Sequence, residues 1–161
     1  MTSPVPDPEP EPTRPANPGD GALFDAIAAE HAAIYGYGVV SAHTTPDTNW
    51  LVSESIAAHR ERREAALALL DDRSVAGPLP AAGYRLPTTV DTPEQAAKLA
   101  VQMENDAATA WRAVVEQATS ETDRAFAVAA LTQCAVAAAR WNQVLGATPV
   151  TVAFPGGAEQ A

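Results

Sequence analysis

Four polar residues stand where apolar ones are expected, and they are the residues of this chain best equipped for chemistry. They are Glu30, His59, Glu104 and Gln133, with Arg63 one turn after His59. Each interrupts a series of apolar residues at i, i+3, i+4, i+7 spacing, the period of an amphipathic helix. The four series are Leu23, Ile27, Glu30, Ile34, Tyr37; Val52, Ile56, His59, Arg63, Ala66 or Leu67, Leu70; Ala97, Val101, Glu104, Ala108, Trp111, Val115; and Phe126, Ala130, Gln133, Ala137, Trp141, Val144. Each polar interruption therefore falls near the middle of a core-facing stripe, and in a bundle those middles meet. Two carboxylates and an imidazole brought together could hold a hard divalent cation such as iron or manganese. Two carboxylates beside a guanidinium could instead form a buried ion-pair layer, hydrogen-bonded by His59, Gln133 or a tyrosine hydroxyl such as Tyr35.

The elements that must position these residues are legible from caps and breakers. The first helix is predicted from about Asp20, an N-cap after Pro18 and Gly19, to about His43, before "TTPDT". The second begins near Asp47 or Thr48 and ends near Arg73, with "RERRE" on its outward face. The third opens on "DTPEQ", where Thr92 can cap, Pro93 suits the first helical position and Gln95 can close a capping box, and it runs to about Thr119. The fourth starts at "SETDR", capped by Ser120 or Thr122, and stops at Leu145 before Gly146. No segment alternates with period two, so the expected fold class is all-α.

Short links join the first and second helices and the third and fourth, which makes each pair an antiparallel hairpin. Between them "SVAGPLPAAGYRLPTTV", residues 74–90, holds three prolines and two glycines and is too broken for a helix. At about 3.3 Å per extended residue it can run the length of a bundle. Two helical hairpins joined by a long crossover is the ferritin-like four-helix bundle. An up-down bundle with an irregular loop is the alternative.

Ferritin-like di-metal sites use a glutamate on each of two helices and a Glu-x-x-His motif on each of the others. No Glu-x-x-His occurs in this chain. Glu30 and His31, as sequence neighbours, point about 100° apart and cannot chelate one ion together. The expectation is therefore a paired network of Glu30, Glu104 and Arg63 with no cofactor. A mononuclear iron or manganese site using Glu30, His59 and Glu104 is the alternative, and it requires Arg63 to point away.

The stretches "EHAAIYGYGVV", "HRERREAALALL", "YRLP" and "LAVQMENDAATAWRAVV" together resemble an uncharacterised ferritin-like domain family of actinobacteria. The resemblance covers about residues 20–146, and its most specific pieces are Glu-His-Ala-Ala-x-Tyr and His-Arg-x-x-Arg. It implies the ferritin-like four-helix fold and no particular reaction.

Composition narrows the function classes. Ten Lys plus Arg against twenty Asp plus Glu leave a net charge of −10, which gives phosphate backbones and anionic membranes nothing to bind. The expected partners are a second copy or another protein, since Trp50 and a charged fraction of 19% leave room for apolar surface. The lone Cys134 excludes an intrachain disulfide and sits among alanines as a small apolar residue. No serine sits with a histidine in a hydrolase pattern. A small-molecule carrier using room beside Gly36, Gly38 and the alanines of the fourth helix is a further class, against which close helix packing explains the same residues.

The domain reading is a disordered proline-rich acidic tail over 1–19, the ferritin-like bundle over 20–146 and a flexible C-terminal tail over 147–161. The N-terminus carries neither the positive region nor the apolar run of a secretory signal, and the expected location is the cytoplasm.

Overall fold

The structure is a computed structural model that describes residues 10–157. Among the described residues there are four α-helices, one short 3-10 turn and no strands: α1 (Pro18–His43), the turn Pro46–Thr48, α2 (Asn49–Asp71), α3 (Pro93–Gln117) and α4 (Glu121–Leu145). The all-α expectation holds. None of the helices is long and apolar enough to cross a membrane.

Helix starts follow local chemistry. α1 begins two residues earlier than Asp20 because Asn17 takes the cap, its Oδ1 accepting from the amides of Gly19 (3.0 Å) and Asp20 (3.1 Å), with Pro18 at the first position. Asp20, freed from capping, accepts from Arg73 at 2.8 Å. α3 carries the full capping box of Thr92 and Gln95. Ser120 caps α4, which stops at Gly146 in the left-handed conformation, φ 66°.

Two apolar clusters make the core. One gathers Leu23, Ile27, Leu70, Trp111 and Cys134, and the other Tyr37, Val40, Leu51, Leu99 and Trp141. The first lies at the start of α1 and α4 and at the end of α2 and α3. The second lies at the opposite ends. Hence α1 and α2 are antiparallel, α3 and α4 are antiparallel, and α2 runs parallel to α3.

A parallel pair needs a connection that travels the whole bundle. Residues 72–92 provide it: Val75 packs on the first cluster, whereas Leu86 and Val90 pack on the second. A 23-residue helix such as α2 is about 35 Å long, and an extended chain covers about 3.3 Å per residue, so the link reaches with length to spare. It is held to α1 at two points. His31, buried, faces the carbonyl of Pro78 at 3.1 Å through Nε2, and the ring of Tyr84 packs at a tilt against Tyr35 with centroids 5.3 Å apart.

Gly36 lets α1 approach α3, because Met103 fills the space a Cβ would need. Beyond α4 the chain turns back: Asn142 donates to the carbonyl of Val150 at 3.0 Å, and Gly156 lies against the Ala108 carbonyl of α3. Before α1, Arg14 pairs with Asp25 at 2.8 Å. The part of the N-terminal tail over residues 1–9 lies outside the described residues.

Candidate functional site

Between the two apolar clusters lies a layer of charge. Glu30 on α1, His59 and Arg62 on α2, and Glu104 on α3 are all buried, Glu30 and His59 with no exposure at all. His59 is the centre: its Nδ1 is 2.5 Å from Glu30 Oε2 and its Nε2 is 3.2 Å from Glu104 Oε1. Arg62 donates through Nε to Glu30 Oε1 at 3.0 Å and through Nη1 to Gln133 Oε1 of α4 at 3.1 Å. Trp111 donates its indole N–H to the same Glu30 Oε1 at 2.6 Å. Tyr37 donates to Glu104 Oε1 at 2.6 Å and accepts from the indole of Trp141 at 2.9 Å.

Electrostatics follow from this wiring. Burial is the largest influence on His59 and would lower its pKa, but hydrogen bonds and attraction from Glu104 and Glu30 together raise it to about 9. Burial likewise pushes Glu30 upward, and the imidazole, Arg62 and the Trp111 indole overcome it, leaving the carboxyl below its usual range. The imidazole is therefore doubly protonated at neutral pH, and two carboxylates are balanced by His59 and Arg62. Nη2 of Arg62 comes within 2.8 Å of Nδ1 of His59, a contact between two donors. It is tolerable because Glu30 lies against both cations. Burial holds the Tyr37 hydroxyl, beside Glu104, and the Cys134 thiol well above their ordinary values, so both are neutral.

Glu30, His59, Glu104 and Gln133 thus meet in one layer. Two residues assigned to the layer in sequence do not join it. The guanidinium belongs to Arg62, while Arg63 turns outward and pairs with Glu64 at 2.6 Å. The buried face of α2 follows a three-four alternation through Val52, Ser55, His59, Arg62 and Ala66, so the inward position after His59 comes at three residues rather than four. Likewise the hydroxyl is that of Tyr37. Tyr35 is 43% exposed on an outer face of α1, beside Tyr84 of the crossover.

Trp111 and Trp141 were assigned only to core stripes, although an indole N–H buried in a core must find an acceptor, and that requirement points to the layer. Among the described residues no group of three or more His, Cys, Asp and Glu side chains is arranged to hold a metal ion.

A four-helix all-α bundle with one buried, hydrogen-bonded charge layer is the class of protein that this fold and site define. The chain belongs to the family described as Domain of unknown function (DUF4439), whose model matches residues 22–159. It is also similar to a solved structure, the conserved hypothetical protein rv2844 of Mycobacterium tuberculosis, at 53% identity and a TM-score of 0.79, over 81% of this chain and 99% of that one. No curated protein matches.

Proposed function

We propose that this chain is a non-catalytic ferritin-like bundle that acts by pairing with a second copy of itself, and that its polar layer is an internal ion-pair network. The observation that supports this reading is the mutual engagement of the layer's charged groups. Three of its four carboxylate oxygens, both of Glu30 and Oε1 of Glu104, already face hydrogen-bond donors. An iron or manganese site would draw on Glu30, His59 and Glu104. Both ring nitrogens of His59 face carboxylates, so no imidazole lone pair is left for an ion, and Arg62 sits against Glu30. These residues do not fit the metal.

With the charges of the layer engaged with one another, activity falls to the surface, and α4 offers the face for it. From Ala125 to Ala139 it carries no charged residue in a chain of net charge −10. Val128 and Val136 are each 46% exposed there, with Ala125, Ala129 and Thr132 also exposed beside them. The spacing is self-complementary. An antiparallel second copy centred on Thr132 sets Val128 against the partner's Val136, as a two-fold interface requires.

Sedimentation velocity and metal analysis of the purified chain test the reading. The expected result is a reversible dimer without stoichiometric iron or manganese, converted to a monomer of unchanged helicity by Val128→Glu with Val136→Glu. A parent protein monomeric throughout the micromolar range would overturn the pairing. Stoichiometric metal that is lost on Glu30→Gln would overturn the ion-pair layer in favour of a metal-binding protein or oxidoreductase.

A further inference from the structure

Arg14 shows which way the N-terminal segment leaves the bundle. Its guanidinium pairs with Asp25 at 2.8 Å and lies over Gly21, 2.7 Å from where a Cβ would stand. Asn17 caps α1, so the chain ahead of the cap doubles back along the helix it precedes. Gly21, Asp25, Ala29 and Ala32 follow one another along one side of α1. Beyond Asp25 that side opens into a groove of about 490 Å³. Ala29 and Ala32 wall it on α1, Leu99 and Met103 on α3, and Tyr84 and Leu86 of the crossover close it toward the second apolar cluster. Two charges on the groove lack partners among the described residues. Arg85 of the crossover has no hydrogen bond or ion pair, and Asp106 of α3 has no counter-ion, burial alone raising its carboxyl.

The apolar walls ask for an apolar occupant, and the arginine at the far end for an acidic one. The chain itself carries both in one stretch. Residues 1–9, "MTSPVPDPE", place prolines at every second position from Pro4 to Pro8 and acids at Asp7 and Glu9. Such a composition cannot build a core of its own, yet the polyproline conformation it favours is the form that aromatic-lined grooves bind, at little further cost in entropy. Reach agrees. At about 3.1 Å per residue the steps from Arg14 back to Glu9 cover roughly 15 Å, and α1 rises roughly 16 Å from Gly21 to Ala32 at about 1.5 Å per residue. Glu9 therefore arrives beside the alanine wall, and the residues before it run on toward Arg85. Tethering raises the local concentration of the segment, so a weak contact suffices. We propose that residues 1–9 of the same chain occupy the α1–α3 groove, with Pro4, Pro6 and Pro8 on its apolar walls and Asp7 toward Arg85. Asp106, the like charge on the lining, weakens the hold and keeps it reversible.

NMR of methyl-labelled methionine gives the test, because the chain has two methionines, Met1 in the segment and Met103 in the groove. Deleting residues 2–9 is expected to shift the Met103 methyl signal, and an unlabelled peptide of residues 1–9 added to the shortened chain should return it saturably. Arg85→Glu in the shortened chain should weaken that peptide about tenfold, the scale of one charge reversal at an interface. A peptide carrying Asp7→Lys and Glu9→Lys should then bind Arg85→Glu better than it binds the parent groove. Asp106→Asn should tighten the original peptide. A Met103 signal moved by neither the deletion nor the peptide overturns the proposal, and so does equal binding of the peptide to parent and Arg85→Glu. In the full chain carrying Val128→Glu with Val136→Glu, whose α4 positions do not line the groove, the Met103 signal should stay constant on dilution. A change there would put the segment on a second copy and overturn the proposal independently of pairing through α4.

Discussion

Arg62 and Arg63 are sequence neighbours with opposite surroundings: Arg62 is buried and donates to Glu30 at 3.0 Å, whereas Arg63 faces outward and pairs with Glu64. Removing one partner of a buried ion pair costs about 3–5 kcal/mol, and an exposed pair contributes about 0–1 kcal/mol. Arg62→Met is expected to lower stability on the first scale and Arg63→Met on the second, read by urea unfolding. Adding Glu30→Gln to Arg62→Met should recover part of the loss, because the uncompensated carboxylate is removed. Equal effects of the two arginine substitutions would mean that Arg62 does not carry the charge balance.

The pH profile is set by His59. Its folded pKa of about 9 lies above its unfolded value of about 6.5, so the folded state binds the proton more tightly. The contribution is fully present below the unfolded pKa and is lost as pH rises through about 9. The shift corresponds to roughly 3 kcal/mol. Glu30 acts on the other flank: its lowered pKa stabilises above the unfolded carboxyl value and is lost as pH falls through the folded one. The melting temperature should therefore fall between pH 7 and pH 9.5, a range chosen to bracket the imidazole titration. His59→Gln should flatten the decline while lowering the curve as a whole. An unchanged alkaline slope in that variant would assign the effect elsewhere.

Trp111 gives a narrower probe. Its indole donates to Glu30 Oε1 at 2.6 Å while its ring packs edge-on against Phe126. Trp111→Phe removes the donor with limited loss of ring volume. The expected cost is about 1–3 kcal/mol, the range for an acceptor left short of a partner in the core. A further expected outcome is an upward shift of the acid midpoint of unfolding, since the indole is one of the groups holding the Glu30 pKa down. Acid titration of parent and variant, followed by circular dichroism, checks both.

How much of this was legible beforehand follows the physics of each feature. Helix number and most boundaries were readable because caps are local: the capping box of Thr92 and Gln95 and the stop at Gly146 depend on a few adjacent residues. Asn17 was missed as the first cap although "NPGD" carries it, since Asp20 is an equally good capping residue. Glu30, His59 and Glu104 were readable because a charge at the centre of an apolar stripe has nowhere to go but inward. Choosing Arg62 over Arg63 required knowing where α2 places its three-residue steps, and that depends on the partner helices rather than on α2. Tyr37 stood on the α1 stripe, yet its role as a donor to Glu104 appears only once α3 is packed beside it.

The crossover provides the last expectation. Because α2 and α3 are parallel, the chain must return along the bundle, and Val75 and Val90 are anchored in opposite apolar clusters. Removing "GPLPAAG", residues 77–83, takes away seven residues, or about 23 Å of extended chain. It also removes Pro78, whose carbonyl faces the buried His31. The remaining seven residues between Val75 and Val90 give eight Cα steps, about 26 Å when fully extended. That is shorter than the roughly 35 Å of α2, so the two anchors cannot both be kept. The deletion is expected to abolish cooperative unfolding or to force an exchange of hairpins between copies. Replacing the same seven residues by a Gly/Ser stretch of equal length should preserve the fold and the backbone carbonyl that faces His31, with a loss of about 1–3 kcal/mol from the prolines and apolar residues removed. Thermal unfolding and sedimentation of both variants separate reach from contact. A shortened protein that stays monomeric with the parent melting curve would contradict the parallel arrangement of α2 and α3.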